Sequence, residues 1–212
     1  MKKILSLCVA LLCAYQVTNA QTQKGNQNLA IYLQYQHVST SNSSSTPFAS
    51  NQTNKTEAFN IGPSYGYFVS DGLELGALAS YIHNTTESTT SGPGTTTSKS
   101  TTNGFSANLF LRKYVLYENK FGFRAGPYVS YGYNKQSQDN SSIINAKTNN
   151  LGAGATFDLV YYPTTKLGIA ANLLGLNYTH SKTNGDYTAN TNAFDFSFVN
   201  SGLGLSVFWV LK

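Results

Sequence analysis

The sequence predicts an all-β fold: one eight-stranded antiparallel up-and-down transmembrane β-barrel, with short periplasmic turns and long external loops. Three observations predict it. Apolar and small or polar residues alternate with period two over eight segments, and no segment shows a convincing helical period. Only 11% of the 212 residues are charged, against 41% hydrophobic and 13% aromatic. A soluble domain carries about 25% charged residues, so an ordinary water-facing surface is hard to build from this chain. Finally, the links between segments alternate between short and long. No stretch of about 20 apolar residues exists, which excludes a membrane-spanning helix.

The first 20 residues read as a secretory signal. Lys2 and Lys3 supply the positive start, Ile4 to Ala14 the short apolar core, and Thr18-Asn19-Ala20 a small-residue cleavage point. The domain division is therefore 1–20 signal and 21–212 barrel. Cys8 and Cys13 both fall in the signal. Leu7 and Leu12 precede them, where a lipid-anchored precursor needs a small residue. The mature chain then has no thiol, no disulfide and no Cys-based metal site. The formal charge is +5, and Lys2 and Lys3 leave with the signal. With no Lys/Arg run, nucleic acid is not an expected partner.

The strands follow in order. Leu29, Ile31, Leu33 and Tyr35 alternate with Ala30, Tyr32 and Gln34. Phe59, Ile61, Pro63, Tyr65, Tyr67 and Val69 alternate with Asn60, Gly62, Ser64, Gly66 and Phe68. Leu73, Leu75, Ala77, Ala79 and Tyr81 oppose Glu74, Gly76, Leu78 and Ser80. Phe105, Ala107, Leu109 and Leu111 oppose Ser106, Asn108, Phe110 and Arg112. Phe121, Phe123, Ala125, Pro127, Val129 and Tyr131 oppose Gly122, Arg124, Gly126, Tyr128 and Ser130. Leu151, Ala153, Ala155, Phe157, Leu159 and Tyr161 oppose Gly152, Gly154, Thr156, Asp158 and Val160. The seventh strand opens with Leu167, Ile169, Ala171 and Leu173, then slips phase to Leu174, Leu176 and Tyr178, which a β-bulge accommodates. The last places Leu203, Leu205, Val207, Trp209 and Leu211 against Gly204, Ser206, Phe208 and Val210.

Short links fall at Ser70-Asp71-Gly72, Leu116 to Lys120 and Pro163-Thr164-Thr165. Long, Ser/Thr/Asn-rich links fall at roughly 39–56, 84–103, 134–149 and 179–200. A closed sheet satisfies every backbone polar group, as lipid demands. The rival is a soluble eight-stranded barrel, whose apolar face points inward and whose polar face meets water. That face should carry Lys and Glu. Here it holds Gly, Ser, Asn and Ala, which suit a narrow lumen. Aromatic residues agree: Tyr35, Phe59, Tyr81, Phe105, Tyr131 and Tyr178 lie toward the long links, and Tyr67, Phe121, Phe123, Tyr161 and Trp209 toward the short ones. Two such belts mark the two interfaces of a bilayer. Lys113 stands in the outward phase beside a short turn, placed to snorkel.

With its signal, its eight strands and the final run Leu203-Gly204-Leu205-Ser206-Val207-Phe208-Trp209, the chain resembles the small eight-stranded outer-membrane β-barrel proteins of Gram-negative bacteria, the OmpA/OmpX/OmpW-like group. The resemblance covers nearly all of the mature chain and rests on pattern rather than on a motif. It implies residence in the bacterial outer membrane and assembly by the barrel assembly machinery. The expected partners are outer-membrane lipids and lipopolysaccharide, and a monomer is expected. The group usually ends in an aromatic residue; this chain ends Val210-Leu211-Lys212.

The candidate site is a set of charges in the inward phase: Glu74, Arg112, Arg124 and Asp158, on four successive strands at similar depth. Pairs Glu74–Arg112 and Arg124–Asp158 are expected, since unpaired charges in a low-dielectric lumen are costly. An ion-pair plug and a solute-selecting constriction or gate both fit this set. His37, His83 and His180 lie near the long-link ends, where lipid-modifying enzymes and proteases place histidine. No local partner for a base follows them, and their three strands are not mutual neighbours, which argues against a metal. Phe194, Phe196 and Phe198 alternate just before the last strand, either extending it or forming an apolar patch. The expected function is a non-enzymatic surface or envelope barrel for support or adhesion-type contact, without cofactor. The alternative is a narrow channel or uptake route for small or apolar molecules, and after it a lipid-modifying enzyme.

Overall fold

The computed structural model describes residues 21–42, 51–91, 94–139, 146–185, 188–198 and 203–212; the signal segment lies outside them. The strands are β1 (Gln27–Asn42), β2 (Asn51–Ser70), β3 (Leu73–Ser91), β4 (Thr96–Tyr117), β5 (Phe121–Gln138), β6 (Ala146–Tyr161), β7 (Leu167–Asn184), β8 (Thr188–Phe198) and β9 (Leu203–Leu211). Every pairing is antiparallel. Successive strands pair from β1 to β7, β7 pairs with β9, and β9 pairs with β1. The ladder thus closes into a ring of eight positions.

The eighth position is made of two segments. The lower part of β7 pairs with β9, from Leu167↔Trp209 to Ala171↔Leu205. Its upper part pairs with β8, from Leu174↔Phe198 to Asn184↔Thr188. Phe194, Phe196 and Phe198 therefore extend the last strand position, with their rings exposed on its outer face. The β1–β9 ladder ends at Tyr35↔Leu203. Above it, no ladder joins β8 to β1 among the described residues. The phase slip of β7 is a bulge: Phe157 opposes Leu174 while Asp158 opposes Asn172, leaving Leu173 extra.

The short turns are built by local chemistry. Gly72 has φ 67 and Glu118 and Asn119 have φ 49 and 57. Consecutive positive φ values are the backbone of a two-residue hairpin turn that matches strand twist, here closed by Lys120 N–H donating to Tyr117 O at 3.0 Å. Thr164 Oγ1 accepts from Lys166 N at 3.3 Å and Leu167 N at 3.0 Å. Lys113 Nζ donates to Asp71 O at 2.9 Å across the neighbouring turn.

Most of the stretches expected as long links are strand. Thr86 and Ser100 pair, as do Thr89 and Thr97, and Lys55 and Glu87. β4 runs for 22 residues, where a tilted membrane strand needs about 9–11. Roughly half of it therefore stands beyond the bilayer. Alternation is invisible there because both faces are polar and both meet water. The β-branched threonines still favour a pleated backbone, and hydroxyls join across it, as in Thr148–Thr183 at 2.9 Å.

The two faces separate cleanly within the belt. Outward residues such as Leu29, Ile31, Leu75, Leu109, Val129 and Leu151 are among the most exposed in the chain, although all are apolar. Inward, Phe68, Tyr114, Leu116, Val160, Ala170, Phe208 and Val210 pack with Ala30 and Tyr162 into a small core at the short-turn end. The chain before β1 closes that end. Thr22 is fully buried, its carbonyl accepts from Gly72 N at 2.7 Å, and Gly25 N donates to Phe68 O at 2.9 Å.

Candidate functional site: a polar layer across the lumen

Above the apolar core, inward side chains from β1, β3, β4, β5, β6, β7 and β9 meet in one polar layer. Arg124 and Asp158 are register partners. Arg124 Nε donates to Asp158 Oδ2 at 2.6 Å, and both residues are about 4% exposed. Asn172 Nδ2 donates to the other oxygen, Oδ1, at 2.8 Å. Arg124 Nη1 donates to the Tyr114 hydroxyl at 3.1 Å, and Nη2 reaches Ser206 Oγ at 3.5 Å. Each hydrogen bond to a charged group is stronger than a neutral one, and together they hold the guanidinium in one orientation.

Glu74 also faces Arg112 in register, but they form no ion pair. Glu74 Oε1 accepts from Asn28 Nδ2 at 2.8 Å, and Oε2 accepts from the Tyr114 hydroxyl at 2.9 Å. Arg112 lies instead over the Phe110 ring, its Cζ 3.7 Å from the centroid, a cation–π contact. Its buried Nε has no hydrogen-bond partner. The expected Glu74–Arg112 pair is thus replaced by a Glu74–Tyr114 bond. The cause is the length of β4. The strand continues past Arg112 to Tyr117, so Tyr114 shares its inward face two residues lower. There its hydroxyl bridges Glu74 and Arg124. The sequence reading ended the apolar alternation near Lys113 and missed Tyr114; the next alternating pair, Val115 and Tyr117 outward against Tyr114 and Leu116 inward, is the signal that finds it. Gly66 makes room for the carboxylate, because a Cβ there would collide with Glu74.

The layer divides the lumen. Above it lies a cavity of about 440 Å³ whose lining includes Tyr32, Arg112, Tyr128, Asn177 and Asp195. Beneath Arg112, among Asn28, Glu74, Arg124 and Phe208, the free space is about 10 Å³. That is about the space of a single water molecule, and the packed side chains of Phe68, Tyr114, Val160 and Phe208 lie below it.

The three histidines stand on the outer rim, each with a polar neighbour. His37 Nδ1 is 3.5 Å from Glu57 Oε1. Asn103 Oδ1 lies 2.8 Å from the Tyr81 hydroxyl and 2.7 Å from His83 Nδ1. Asn192 Oδ1 lies 3.2 Å from the Tyr178 hydroxyl and 2.8 Å from His180 Nδ1. Tyr131 repeats the Tyr–Asn bond with Asn149 at 2.9 Å. These clasps tie rim tyrosines to the neighbouring strand, where polar tips meet the interface. Among the described residues, no group of three or more His, Cys, Asp and Glu is placed to hold a metal.

A closed strand ladder with an apolar outer belt and polar clasps above it suits a bilayer, where the ladder satisfies the backbone and the belt meets lipid. The chain folds as a membrane-spanning β-barrel. No protein-family model and no curated protein matches it in sequence. Solved structures are similar to it, among them the following three. The outer membrane protein OprG from Pseudomonas aeruginosa is 12% identical, with 92% of this chain and all of that one covered, at a TM-score of 0.48. The translocator domain of the autotransporter NalP from Neisseria meningitidis is 10% identical, covering 95% of this chain and 91% of that one, at 0.38. The β domain of the Bordetella autotransporter BrkA is 11% identical, covering 87% and 98%, at 0.31. The ladder and the outer belt establish the barrel independently of these likenesses.

Proposed function

We propose that this barrel is a non-enzymatic surface protein. Its lumen is shut on the periplasmic side, and its strand extensions make contact outside the cell. The carrying observation is the paired extension of β2, β3 and β4. Its register runs unbroken from Phe59↔His83 to Asn51↔Ser91 and from His83↔Asn103 to Thr90↔Thr96. A ladder of that length holds Ser, Thr and Asn side chains in fixed rows above the membrane. The surrounding lipid is lipopolysaccharide on the outer side. The barrel is a monomer, inserted by the barrel assembly machinery.

Deleting Thr85–Thr90 together with Thr96–Thr101 removes six register pairs and keeps the inside/outside phase of what remains. Cells making this variant should attach to glass and plastic no better than cells lacking the protein. Cells with the full-length chain should attach several-fold better. The variant should stay heat-modifiable and in the membrane fraction. Unchanged attachment would overturn the contact role.

A second reading, an uptake route for small apolar molecules, is supported by the seam above Tyr35↔Leu203, where no ladder joins β8 to β1 among the described residues. The cavity touches Asp195 and Ser197 on β8 and Gly204 on β9 at that seam.

A further inference from the structure

On the outer face of the extensions, Lys135 of β5 and Lys147 of β6 are direct register partners. Lys182 of β7 opposes Asn149, two residues along β6 from Lys147, and shares that face. All three are exposed. Like charges directly opposite one another destabilise a ladder. None of the three lysines has an ion pair or hydrogen bond among the described residues. The rest of this face is balanced: Glu87 stands between Lys55 and Lys99 in register, and Glu57 faces His37. Among the described residues, positive charge is therefore paired in register on β2 to β4 and has no such partner on β5 to β7.

The height of the cluster says what offsets it. Tyr131, Leu151 and Tyr178 are outward residues of the apolar belt on the same three strands. Each lysine stands four positions beyond one of them. At ~3.3 Å per residue and a tilt near ~45°, that is roughly 9 Å above the belt. The headgroup zone of a bilayer leaflet is about 5–8 Å thick, and a lysine stem can bend back toward it. The three lysines thus stand at the outer edge of the headgroup zone, within reach of it, with aromatic and aliphatic surface below them. A single phosphodiester between the register partners Lys135 and Lys147 leaves Lys182, one strand further on, without an anion. A headgroup carrying two phosphates on a sugar scaffold offers it a second one.

We infer that Lys135, Lys147 and Lys182 form a binding site for the phosphorylated sugar headgroup of an outer-leaflet glycolipid, whose acyl chains lie against Tyr131, Leu151 and Tyr178. Phosphate oxygens between Lys135 and Lys147 turn a repulsive register pair into two charge-assisted contacts. The inference rests on the membrane placement and on lipopolysaccharide as the surrounding lipid. It does not rest on the contact role of the extensions, so attachment of cells can fail while lipid binding holds.

The test is lipid retention by the purified full-length barrel in neutral detergent, read by native mass spectrometry. The probes are a bisphosphorylated glucosamine-disaccharide lipid, its monophosphorylated form and phosphatidylglycerol. The barrel should retain one bisphosphorylated lipid, the monophosphorylated form several-fold less, and phosphatidylglycerol least. The triple variant Lys135→Gln/Lys147→Gln/Lys182→Gln should lose at least about tenfold in retention, since each cation near a charged lipid surface contributes measurably. A control, Lys55→Gln/Lys99→Gln, should bind as the unmutated chain does. A separate readout does not depend on binding: Lys135→Gln alone should raise the unfolding temperature in lipid-free detergent, by removing a like-charge pair. Equal retention by the triple variant would overturn the site. So would equal retention of phosphatidylglycerol, which would mean general attraction to an anionic surface.

Discussion

Arg124→Ala should destabilise the folded barrel by about 3–5 kcal/mol, because it strands the nearly buried Asp158 carboxylate without its cation. Arg124 and Asp158 are almost fully buried and bonded at 2.6 Å. The variant also takes a charged donor from the Tyr114 hydroxyl, leaving it with Glu74 and a longer contact from Asn28. An exposed pair would contribute only about 0–1 kcal/mol, so the magnitude separates a dry layer from a wetted one. The paired variant Arg124→Ala/Asp158→Ala should recover part of the loss, since no charge is then left alone. Urea unfolding of barrels folded in detergent measures all three. A loss under about 1 kcal/mol for Arg124→Ala would mean that water screens the layer.

The second large effect belongs to the lipid face. Leu109→Arg should cost about 2–4 kcal/mol, the penalty of a cation near the bilayer midplane. Leu109 is 62% exposed on the outer face, between Phe105 and Val115 along β4. Its neighbour Asn108 points into the cavity, and arginine there meets water and polar side chains. Asn108→Arg should therefore show no dependence on bilayer thickness, while Leu109→Arg should become costlier in thicker bilayers. Refolding yields in vesicles of short and long acyl chains compare the two. The same thickness dependence for both would exchange inside and outside.

How much of this was legible follows from how strongly each face differs from the other. Where lipid lies outside and a packed lumen inside, as at Leu75 against Glu74 or Leu109 against Asn108, alternation assigned the side of each residue and even the bulge at Leu173. Where water lies on both sides, as at Thr85 to Thr90 or Thr96 to Thr101, the two faces look alike, so long strands read as links. The layer's four charges stood out because so few charges lie in the inward phase. Their partners did not. Register placed Glu74 opposite Arg112, yet side-chain direction gave the carboxylate to Asn28 and Tyr114 and laid the guanidinium on Phe110. Neutral partners such as Tyr114, Asn28 and Asn172 carry no charge signature in a sequence. The closing of the floor by Thr22 and its neighbours depends on backbone hydrogen bonds, which no composition signals.

The central claim is a lumen open to the outside and shut at the layer of Arg124 and Asp158. The chain from residue 21 onward contains no cysteine, so single-cysteine variants report depth directly. Ser130→Cys lies on the cavity wall above the layer, and Val160→Cys lies in the apolar core beneath it. Intact cells making each variant are treated with a charged, membrane-impermeant maleimide. The account predicts rapid labelling at Ser130→Cys and none at Val160→Cys until the barrel is unfolded. Labelling of Val160→Cys from outside in the folded barrel would contradict it.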